Sequence, residues 1–276
     1  AEGPLNTRID RNSSTGTVVA MNGVPKGARL EGIGFYRSDS EFLYVGDGSQ
    51  LEVVNCRFVN SDINPFEFNQ STVLLENCQF VSNDRHGRVV QSDLTIDGCS
   101  FTFNKGCVYA YSNSTITVTD SKFYDNSAKA SEESLFIGGA FYCLSSDLDI
   151  QGSEFARNSA RQGGSVYIAG SQQLSIENCI FSEDEASYES SAQGGSLFAA
   201  SGVTATIRQC SFLDCVADLS GGSTGSSSGG AAIFGQNVFL QCEFVSFVRC
   251  KSISYYDDNN YGCSGGALSL TSSTVS

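Results

Sequence analysis

The sequence predicts an all-β fold, a right-handed, single-stranded parallel β-helix (solenoid) of about 10 coils with roughly 22 to 32 residues each. Three observations lead to this prediction: a phenylalanine that recurs at regular intervals, short alternating apolar pairs before it, and Gly-Gly segments after it. A period in this range is typical of stacked-repeat proteins, in which each repeat packs only on its neighbours.

The recurring phenylalanine defines the repeat. Its copies are separated by 23, 22, 21, 22, 32, 26, 31 and 32 residues, and they are Phe35, Phe58, Phe80, Phe101, Phe123, Phe155, Phe181, Phe212 and Phe244. Six copies have a cysteine two residues earlier, namely Cys56, Cys78, Cys99, Cys179, Cys210 and Cys242. In stacked coils about 4.8 Å apart, the rings would form one internal stack beside a column of small thiols.

Short apolar alternations indicate strands rather than helices. Leu94 with Ile96 and Leu148 with Ile150 precede the phenylalanine, and a Gly-Gly-small-apolar segment such as Gly163–Val166 opens a further strand after it. No stretch has a sustained 3.6-residue apolar period, which excludes helical solenoids. Each period therefore holds about three short strands separated by bends.

The repeats predict one elongated domain. Residues 1–27 are expected to form an irregular first coil or cap, and residues 28–276 the β-helix repeats. We expect the repeats to continue beyond the C-terminal end, because the last residues resemble the start of another coil and no capping element is visible.

The composition of the chain limits the classes of binding partner that we expect. The net charge of −14 disfavours nucleic acid and anionic membrane surfaces, and no segment is apolar for long enough to span a bilayer. A charged fraction of only 17%, together with many Ser, Gly and Asn residues, predicts an extracellular or cell-surface location.

Insertions lengthen the later coils at one fixed phase, between the phenylalanine segment and the Gly-Gly strand. The inserted segments are Lys129–Ile137, Glu183–Gln193, Asp218–Ser228 and Lys251–Ser264. Insertions at one phase emerge on one face of a solenoid, which is often the binding face, although tolerated surface decoration remains an alternative. The binding candidates on this face are Tyr188, Tyr255, Tyr256, Asp257 and Asp258.

Eleven cysteines leave core packing and disulfide formation as alternatives. Cys250 and Cys263 bracket the last insertion, Cys215 is placed to pair with Cys250 one coil later, and Cys107 and Cys143 lie near equivalent positions of adjacent coils. Zinc is not expected, because the chain has no Cys-x-x-Cys pair and a single histidine.

No catalytic residue and no cofactor is predicted. The only histidine, His86, is expected on a solvated turn. The acidic groups Asp147 with Asp149, Glu183–Glu185 and Asp257–Asp258 favour a solvated acidic surface, with calcium as the weaker alternative because the spacing of a calcium loop is missing.

Three Asn-x-Ser/Thr sequons are candidates for glycosylation. They begin at Asn12, Asn69 and Asn113. About as many are expected by chance in a sequence this rich in Ser and Thr, so the sequons are weak indicators.

The motifs also carry a family resemblance. Four of the recurring phenylalanines begin a Phe-x-x-Asn motif, at Phe80–Asn83, Phe101–Asn104, Phe123–Asn126 and Phe155–Asn158. Together with the Gly-Gly-Ala/Ser segments, it resembles the repeats of chlamydial polymorphic membrane proteins and the related Cys-rich β-helix repeats in large secreted proteins of algae and protists. The resemblance implies a passenger-type surface adhesin or structural domain, and it carries over no enzymatic residues.

The sequence thus leads us to expect a non-enzymatic extracellular β-solenoid, either structural or adhesive, which associates end to end or contacts cell-surface glycans or proteins. Two alternatives stay open: a pectate-lyase-like carbohydrate-active enzyme with the same coil, and a glycan-binding module that uses the inserted tyrosines.

Overall fold

The computed structural model describes residues 7–10, 17–128, 137–187, 191–219, 227–253, 263–264 and 266–275. The regular elements in these residues are parallel β-strands, numbered β1 to β37 along the chain. Ten strands stack in each of three long sheets, and one strand from each sheet makes up a coil. The predicted right-handed parallel β-helix of about ten coils is therefore confirmed.

The three long sheets run the length of the rod. The first sheet contains β1 (Thr7–Asp10), β4 (Ile33–Ser38), β7 (Arg57–Ser61), β10 (Gln79–Val81), β13 (Ser100–Thr102), β16 (Lys122–Tyr124), β19 (Glu154–Ala156), β23 (Ile180–Ser182), β28 (Ser211–Leu213) and β33 (Ser246–Val248). The second sheet contains β2 (Val19–Asn22), β5 (Leu43–Gly46), β8 (Phe66–Asn69), β11 (Gly87–Val90), β14 (Val108–Tyr111), β17 (Phe141–Leu144), β21 (Val166–Ala169), β26 (Leu197–Ala200), β31 (Ile233–Gln236) and β36 (Leu268–Thr271). The third sheet contains β3 (Ala28–Glu31), β6 (Gln50–Val54), β9 (Thr72–Glu76), β12 (Asp93–Asp97), β15 (Thr115–Thr119), β18 (Asp147–Gln151), β22 (Gln173–Glu177), β27 (Thr204–Arg208), β32 (Phe239–Glu243) and β37 (Thr274–Val275).

Two short sheets accompany the longer coils. The fourth sheet contains β20 (Ser159–Ala160), β24 (Glu185–Ser187), β29 (Val216–Asp218) and β34 (Lys251–Ile253), and the fifth contains β25 (Ser191–Gln193), β30 (Ser227–Gly229) and β35 (Cys263–Ser264). At the other end, β1 and β2 fall within residues 1–27 and pair in parallel with β4 and β5. The domain boundary at residue 28 stays a prediction.

An uninterrupted stack of phenylalanine rings fills the inside of the first sheet. Neighbouring ring centroids are 4.5 to 5.4 Å apart, and the ring planes are within 18° of parallel. This phenylalanine column consists of Phe35, Phe58, Phe80, Phe101, Phe123, Phe155, Phe181, Phe212 and Phe247.

The last member of the column differs from the sequence prediction. Phe247, not Phe244, pairs with Phe212, whereas the Phe244 side chain is 79% exposed. Phe244 occupies the bend before the strand with φ +54°, where the preceding coil has Gln209 with φ +50°. The motif was misread because Cys242-Glu-Phe244 repeats the Cys-x-Phe spacing three residues too early.

The cysteines two residues before the stacked phenylalanines form a column of their own, which we call the cysteine column, and in this register Cys242 is not a member of it. Cys242 lies opposite Ile207 in the third sheet, so it replaces an aliphatic core residue and does not follow Cys210. Val245 takes the place two residues before Phe247 and packs partly buried against the core. Five cysteines, not six, therefore belong to this column, namely Cys56, Cys78, Cys99, Cys179 and Cys210.

A second interior column consists of asparagines three residues after the phenylalanines. This amide column contains Asn83, Asn104, Asn126 and Asn158, all buried. Each side-chain carbonyl accepts the backbone N–H of the residue at the same position one coil earlier, at 3.0 to 3.1 Å, and each Nδ2 donates to the carbonyl of an earlier phenylalanine, at 2.8 to 3.2 Å. The Phe-x-x-Asn motif is thus explained by hydrogen bonds that join consecutive coils.

The two glycines of each Gly-Gly segment are needed for different physical reasons. The first glycine, such as Gly163, has φ +60°, which other residues rarely adopt. The second, such as Gly164, lies so close to the next coil that a Cβ atom would be 2.0 Å from the carbonyl oxygen of Gly195. Both positions are fixed by backbone geometry and need no functional explanation.

Candidate functional site

The described flanks of the insertions stack on one side of the rod. In the fourth sheet, Glu185 pairs with Val216 and Val216 with Lys251, so the segments that leave the coils here do so in register. In the fifth sheet, the returning segments Ser191–Gln193 and Ser227–Gly229 pair in the same way. The described flanks of the last three insertions consequently share one face of the β-helix, which we call the insert face.

The binding candidates themselves lie beyond what the structure describes. Tyr188, Tyr255, Tyr256, Asp257 and Asp258 all fall in residues outside the described ranges. Their role in binding stays a prediction.

An aromatic ladder follows the outer face of the second sheet. Its members are in register from coil to coil: Tyr109, Tyr142, Tyr167, Phe198 and Phe234. Ring centroids are 4.6 Å apart for Tyr109 and Tyr142, 4.8 Å for Tyr167 and Phe198, and 5.3 Å for Phe198 and Phe234, each pair within 9° of parallel. Between Tyr142 and Tyr167 the stack is interrupted, because these two rings meet edge to face, with centroids 5.4 Å apart and planes at 77°. The ladder therefore consists of two stacked segments, Tyr109 with Tyr142 and Tyr167 with Phe198 and Phe234.

Sequence reasoning missed this ladder, although a signal was present. In Phe141-Tyr142-Cys143 and Leu197-Phe198-Ala199, both the inward and the outward positions are apolar or aromatic. Such continuous apolar runs are typical of strands buried on both faces. In agreement with this, Phe198 is only 4% exposed, and burial raises the pKa of the Tyr142 phenol.

A polar cluster extends the ladder towards the earlier coils. The guanidinium of Arg88 donates to Glu67 at 3.2 Å and to the Tyr111 hydroxyl at 2.6 Å, and it lies 5.7 Å from the centre of the Tyr111 ring. Tyr109 and Tyr111 are half-buried. This part of the second sheet offers a guanidinium, a carboxylate and two phenols to solvent in fixed positions.

His86 is buried, which corrects the expectation of a solvated turn. Its side chain packs against Gly106, where a Cβ atom would lie 2.1 Å from Nε2, and only 7% of the residue is exposed. Nε2 has no hydrogen-bond partner among the described residues. Burial lowers the pKa of His86 to about 4, so the imidazole is neutral at pH 7.

Asp184 is also inside the rod and not on an acidic surface. It continues the amide column after Asn158, whose backbone N–H donates to Oδ1 at 2.9 Å, while the Ser165 hydroxyl donates to Oδ2 at 2.6 Å. Burial raises the pKa of Asp184 to about 7, and these hydrogen bonds oppose part of that shift. The next two coils continue the column with Cys215 and Cys250.

The other cysteine predictions have mixed outcomes. Cys107 lies opposite Ala140 in the neighbouring strand, whereas Cys143 lies three residues further along that strand, opposite Ala110. The two cysteines are therefore offset by about 10 Å along the strand direction, which excludes a disulfide between them. The side chain of Cys263 is outside the described set, and its pairing with Cys250 stays a prediction. The five cysteines of the cysteine column are free, buried thiols.

The sequons occupy three different environments. Asn12 is outside the described residues, Asn69 is half-buried at the end of β8, and Asn113 is exposed in the turn between β14 and β15. Glycosylation at these positions stays a prediction.

One small groove, of about 320 Å³, opens on the outer face of the first sheet. It is lined in part by Tyr124, Glu154, Arg157 and Ile180. The Tyr124 phenol donates to the Glu154 carboxylate, and burial together with this bond raises the pKa of Tyr124 to about 12. The Arg157 guanidinium is held by Asp125 at 2.7 and 2.9 Å, so these charged and phenolic groups are engaged with side-chain partners.

The described residues offer neither a metal-binding cluster nor a membrane-spanning helix. They contain no group of three or more His, Cys, Asp and Glu side chains placed to hold a metal ion. They also contain no helix with the length and apolarity needed to cross a membrane.

Comparison with known proteins identifies one relationship. The family model of the right-handed β-helix region matches residues 5–144. No curated protein and no solved structure matches the chain.

Proposed function

The chain belongs to the family of right-handed β-helix regions, and we propose that it is a non-enzymatic, extracellular β-solenoid with a structural or adhesive role. The fold occurs in both enzymes and non-enzymes, so the proposal depends on where this chain places its reactive side chains.

The location of the acid–base groups is the observation that carries the proposal. A β-helix enzyme acting on polysaccharide needs a general base or a pair of carboxylates at a solvent-filled groove. Here, His86 and Asp184 are buried inside the wall, and Arg88 is engaged by Glu67 and Tyr111. The carbohydrate-active enzyme is therefore the less favoured alternative.

An adhesive role is supported by the one-sided insertions. The insert face gathers segments from successive coils, and a rigid rod presents them at a fixed spacing of about 4.8 Å per coil. The resemblance to chlamydial polymorphic membrane protein repeats points the same way. We propose cell-surface glycans or proteins as the partners of this face.

End-to-end association is the second partner relationship that we propose. Each long sheet adds its strands in one parallel order from coil to coil, so an outermost strand offers the same edge to a neighbouring repeat or to a second copy of the chain. Electron microscopy of the purified chain should show rods of more than one length, and dispersed single rods at all concentrations would contradict this part of the proposal.

A glycan and surface-protein binding assay tests the adhesive role. The chain is applied to a glycan array, and in parallel it is immobilised on beads that are incubated with cell-surface protein extracts. Binding to the array and retention of protein on the beads are measured. We expect the double variant Tyr255→Ala, Tyr256→Ala to lose at least about tenfold in retention, because aromatic residues dominate such contacts. Thr115→Ala, on the exposed outer face of β15, is the matched control and should retain wild-type binding. Equal retention by both variants would contradict the assignment of binding to the insert face.

A further inference from the structure

Three reactive side chains follow one another at the end of the amide column. Asp184, Cys215 and Cys250 occupy the same position in consecutive coils, because Glu185 pairs with Val216 and Val216 with Lys251. The Lys251 N–H donates to the Cys215 carbonyl at 2.9 Å, which holds the two cysteine backbones in adjacent rungs. Rungs about 4.8 Å apart are within the Cα separation that a disulfide spans.

The two thiols differ in access. Cys215 is completely buried, whereas Cys250, in the last described rung, is half-buried. The Cys250 Sγ points back towards the preceding coil, where it lies 3.5 Å from the Phe212 carbonyl oxygen. A hydrogen bond from Cys215 lowers the pKa of the Cys250 thiol to about 7, while the same bond and burial raise the pKa of Cys215. Cys250 is accordingly the nucleophile and Cys215 the slower thiol.

A hydroxyl and a carboxylate accompany Cys215. The Ser196 hydroxyl donates to the Cys215 Sγ at 3.0 Å. The buried carboxylate lies one coil before the thiol and titrates near neutrality. A proton that leaves Cys215 therefore has a nearby acceptor inside the rod.

We propose that Cys215 and Cys250 are a redox-active dithiol, which a low-molecular-weight disulfide oxidises to an inter-coil disulfide with Asp184 as the proton acceptor. This inference is independent of the adhesive role proposed above. It selects the Cys215–Cys250 pair from the alternatives that the sequence leaves open.

The oxidation takes two exchange steps. The Cys250 thiolate attacks the disulfide reagent, which forms a mixed disulfide on Cys250 and releases one reagent thiolate. Cys215 then loses its proton to Asp184, and its sulfur attacks the Cys250 sulfur and displaces the second reagent thiolate. The two protein thiols are oxidised by two electrons, and the reagent is reduced to two thiols.

The remaining stacked thiols serve as an internal comparison. Cys78 and Cys99, and likewise Cys179 and Cys210, lie in consecutive rungs of the cysteine column, but each is only 1% exposed. These thiols bond to backbone carbonyls, as Cys99 does to Leu75 at 3.3 Å. The side-chain hydroxyl of Ser196 beside the Cys215 sulfur thus separates the Cys215–Cys250 pair from them.

Mapping the oxidised cysteines tests the proposal. The folded chain is titrated with mixtures of oxidised and reduced glutathione, free thiols are alkylated, and cross-linked peptides are identified by mass spectrometry. We expect one dominant link, Cys215 to Cys250, and a glutathione adduct on Cys250 in Cys215→Ser. The matched control Cys179→Ser should form the same link as the wild type. A dominant Cys250–Cys263 link, or oxidation of the column cysteines first, would overturn the proposal.

Asp184→Asn tests the role of the carboxylate without disturbing the fold. Four preceding coils carry asparagine at this position, so the variant extends the amide column. We expect the mixed disulfide on Cys250 to accumulate and its resolution to slow by at least about tenfold, the lower range of general-base effects. Unchanged resolution in a variant with the wild-type circular dichroism spectrum would overturn the role of Asp184.

Discussion

The Oδ1 atom of Asn158 accepts two hydrogen bonds from Asn126 one coil earlier, from the backbone N–H at 3.1 Å and from Nδ2 at 2.9 Å. This relationship recurs along the amide column and links each coil to the next through buried side chains. Because the interior offers no water to replace a lost partner, these bonds are expected to be a main determinant of register.

Asn126→Ala should destabilise the rod by about 3 kcal/mol. The substitution removes the acceptor of the Asn104 N–H and the donor to the Phe101 carbonyl, and it leaves both backbone groups buried without a partner. The midpoint of urea unfolding measures the effect. Thr115→Ala, at an exposed position, is the control and should change the stability by less than about 0.5 kcal/mol. Equal effects of the two variants would show that the amide column is not structural.

The register of the last coil predicts opposite effects for two nearby phenylalanines. Phe247→Ala should cost about 2 to 3 kcal/mol, since a half-buried ring stacked on Phe212 is lost. Phe244→Asn should be neutral or stabilise by up to about 1 kcal/mol, because asparagine tolerates a positive φ and the ring is exposed. Thermal unfolding of the two variants decides the register. A larger loss for Phe244→Asn would restore the register predicted from Cys-x-Phe.

Close packing of backbones predicts different outcomes for two glycine-to-alanine substitutions. Gly164→Ala places a methyl group 2.0 Å from the Gly195 carbonyl oxygen and 2.8 Å from that of Glu185, so the coils must separate. Gly266 has no atom within 4 Å of the corresponding position, and Gly266→Ala is the matched control. We expect Gly164→Ala to reduce the yield of folded protein severalfold and Gly266→Ala to leave it unchanged. Comparable yields would contradict the spacing of these coils.

Asp184→Asn should stabilise the rod above neutral pH. The pKa of Asp184 is raised from 3.8 to about 7 in the fold, so the native state holds the proton more tightly than the unfolded state. Its contribution is therefore fully present below about pH 4 and is lost as the pH rises towards 7, by roughly 4 kcal/mol. Asparagine has no charge to bury, and the variant should be more stable than the wild type at pH 8.

The pH dependence of the stability of Asp184→Asn shows the contribution of His86. The pKa of this imidazole is depressed from 6.5 to about 4, so its contribution is present above pH 6.5 and is lost as the pH falls towards 4. In the wild type this slope opposes that of Asp184, whereas in Asp184→Asn the stability should rise with pH between 4 and 6.5. Urea unfolding at several pH values measures both slopes, and a flat profile in the variant would contradict the burial of His86.

The fold was predictable because its repeat is local. Phe-x-x-Asn, the apolar pairs and the Gly-Gly segments each report a contact between a residue and its own copy in the next coil, so one period contains the whole pattern. The prediction failed where two registers share a motif, as Cys242-Glu-Phe244 and Val245-Ser-Phe247 both place a small residue two positions before a phenylalanine. Only pairing with Ile207 and Phe212 distinguishes them.

The reactive side chains were less predictable. His86 and Asp184 lie in polar stretches of sequence, which are typical of surface turns, and only the three-dimensional coil turns these two side chains inward. Cys215 follows Phe212 by the same three residues that separate asparagine from phenylalanine in earlier coils, but its contact with Ser196 joins residues 19 apart and has no sequence signature.

The most direct test of the account is an incubation of the chain with polygalacturonate, with and without calcium, in which unsaturated ends and bound polysaccharide are measured in the same sample. A non-enzymatic solenoid predicts no release of unsaturated ends above that of a heat-denatured sample, whether or not the polysaccharide binds. Sustained release that is lost in Arg88→Ala would contradict the account and establish a carbohydrate-active enzyme.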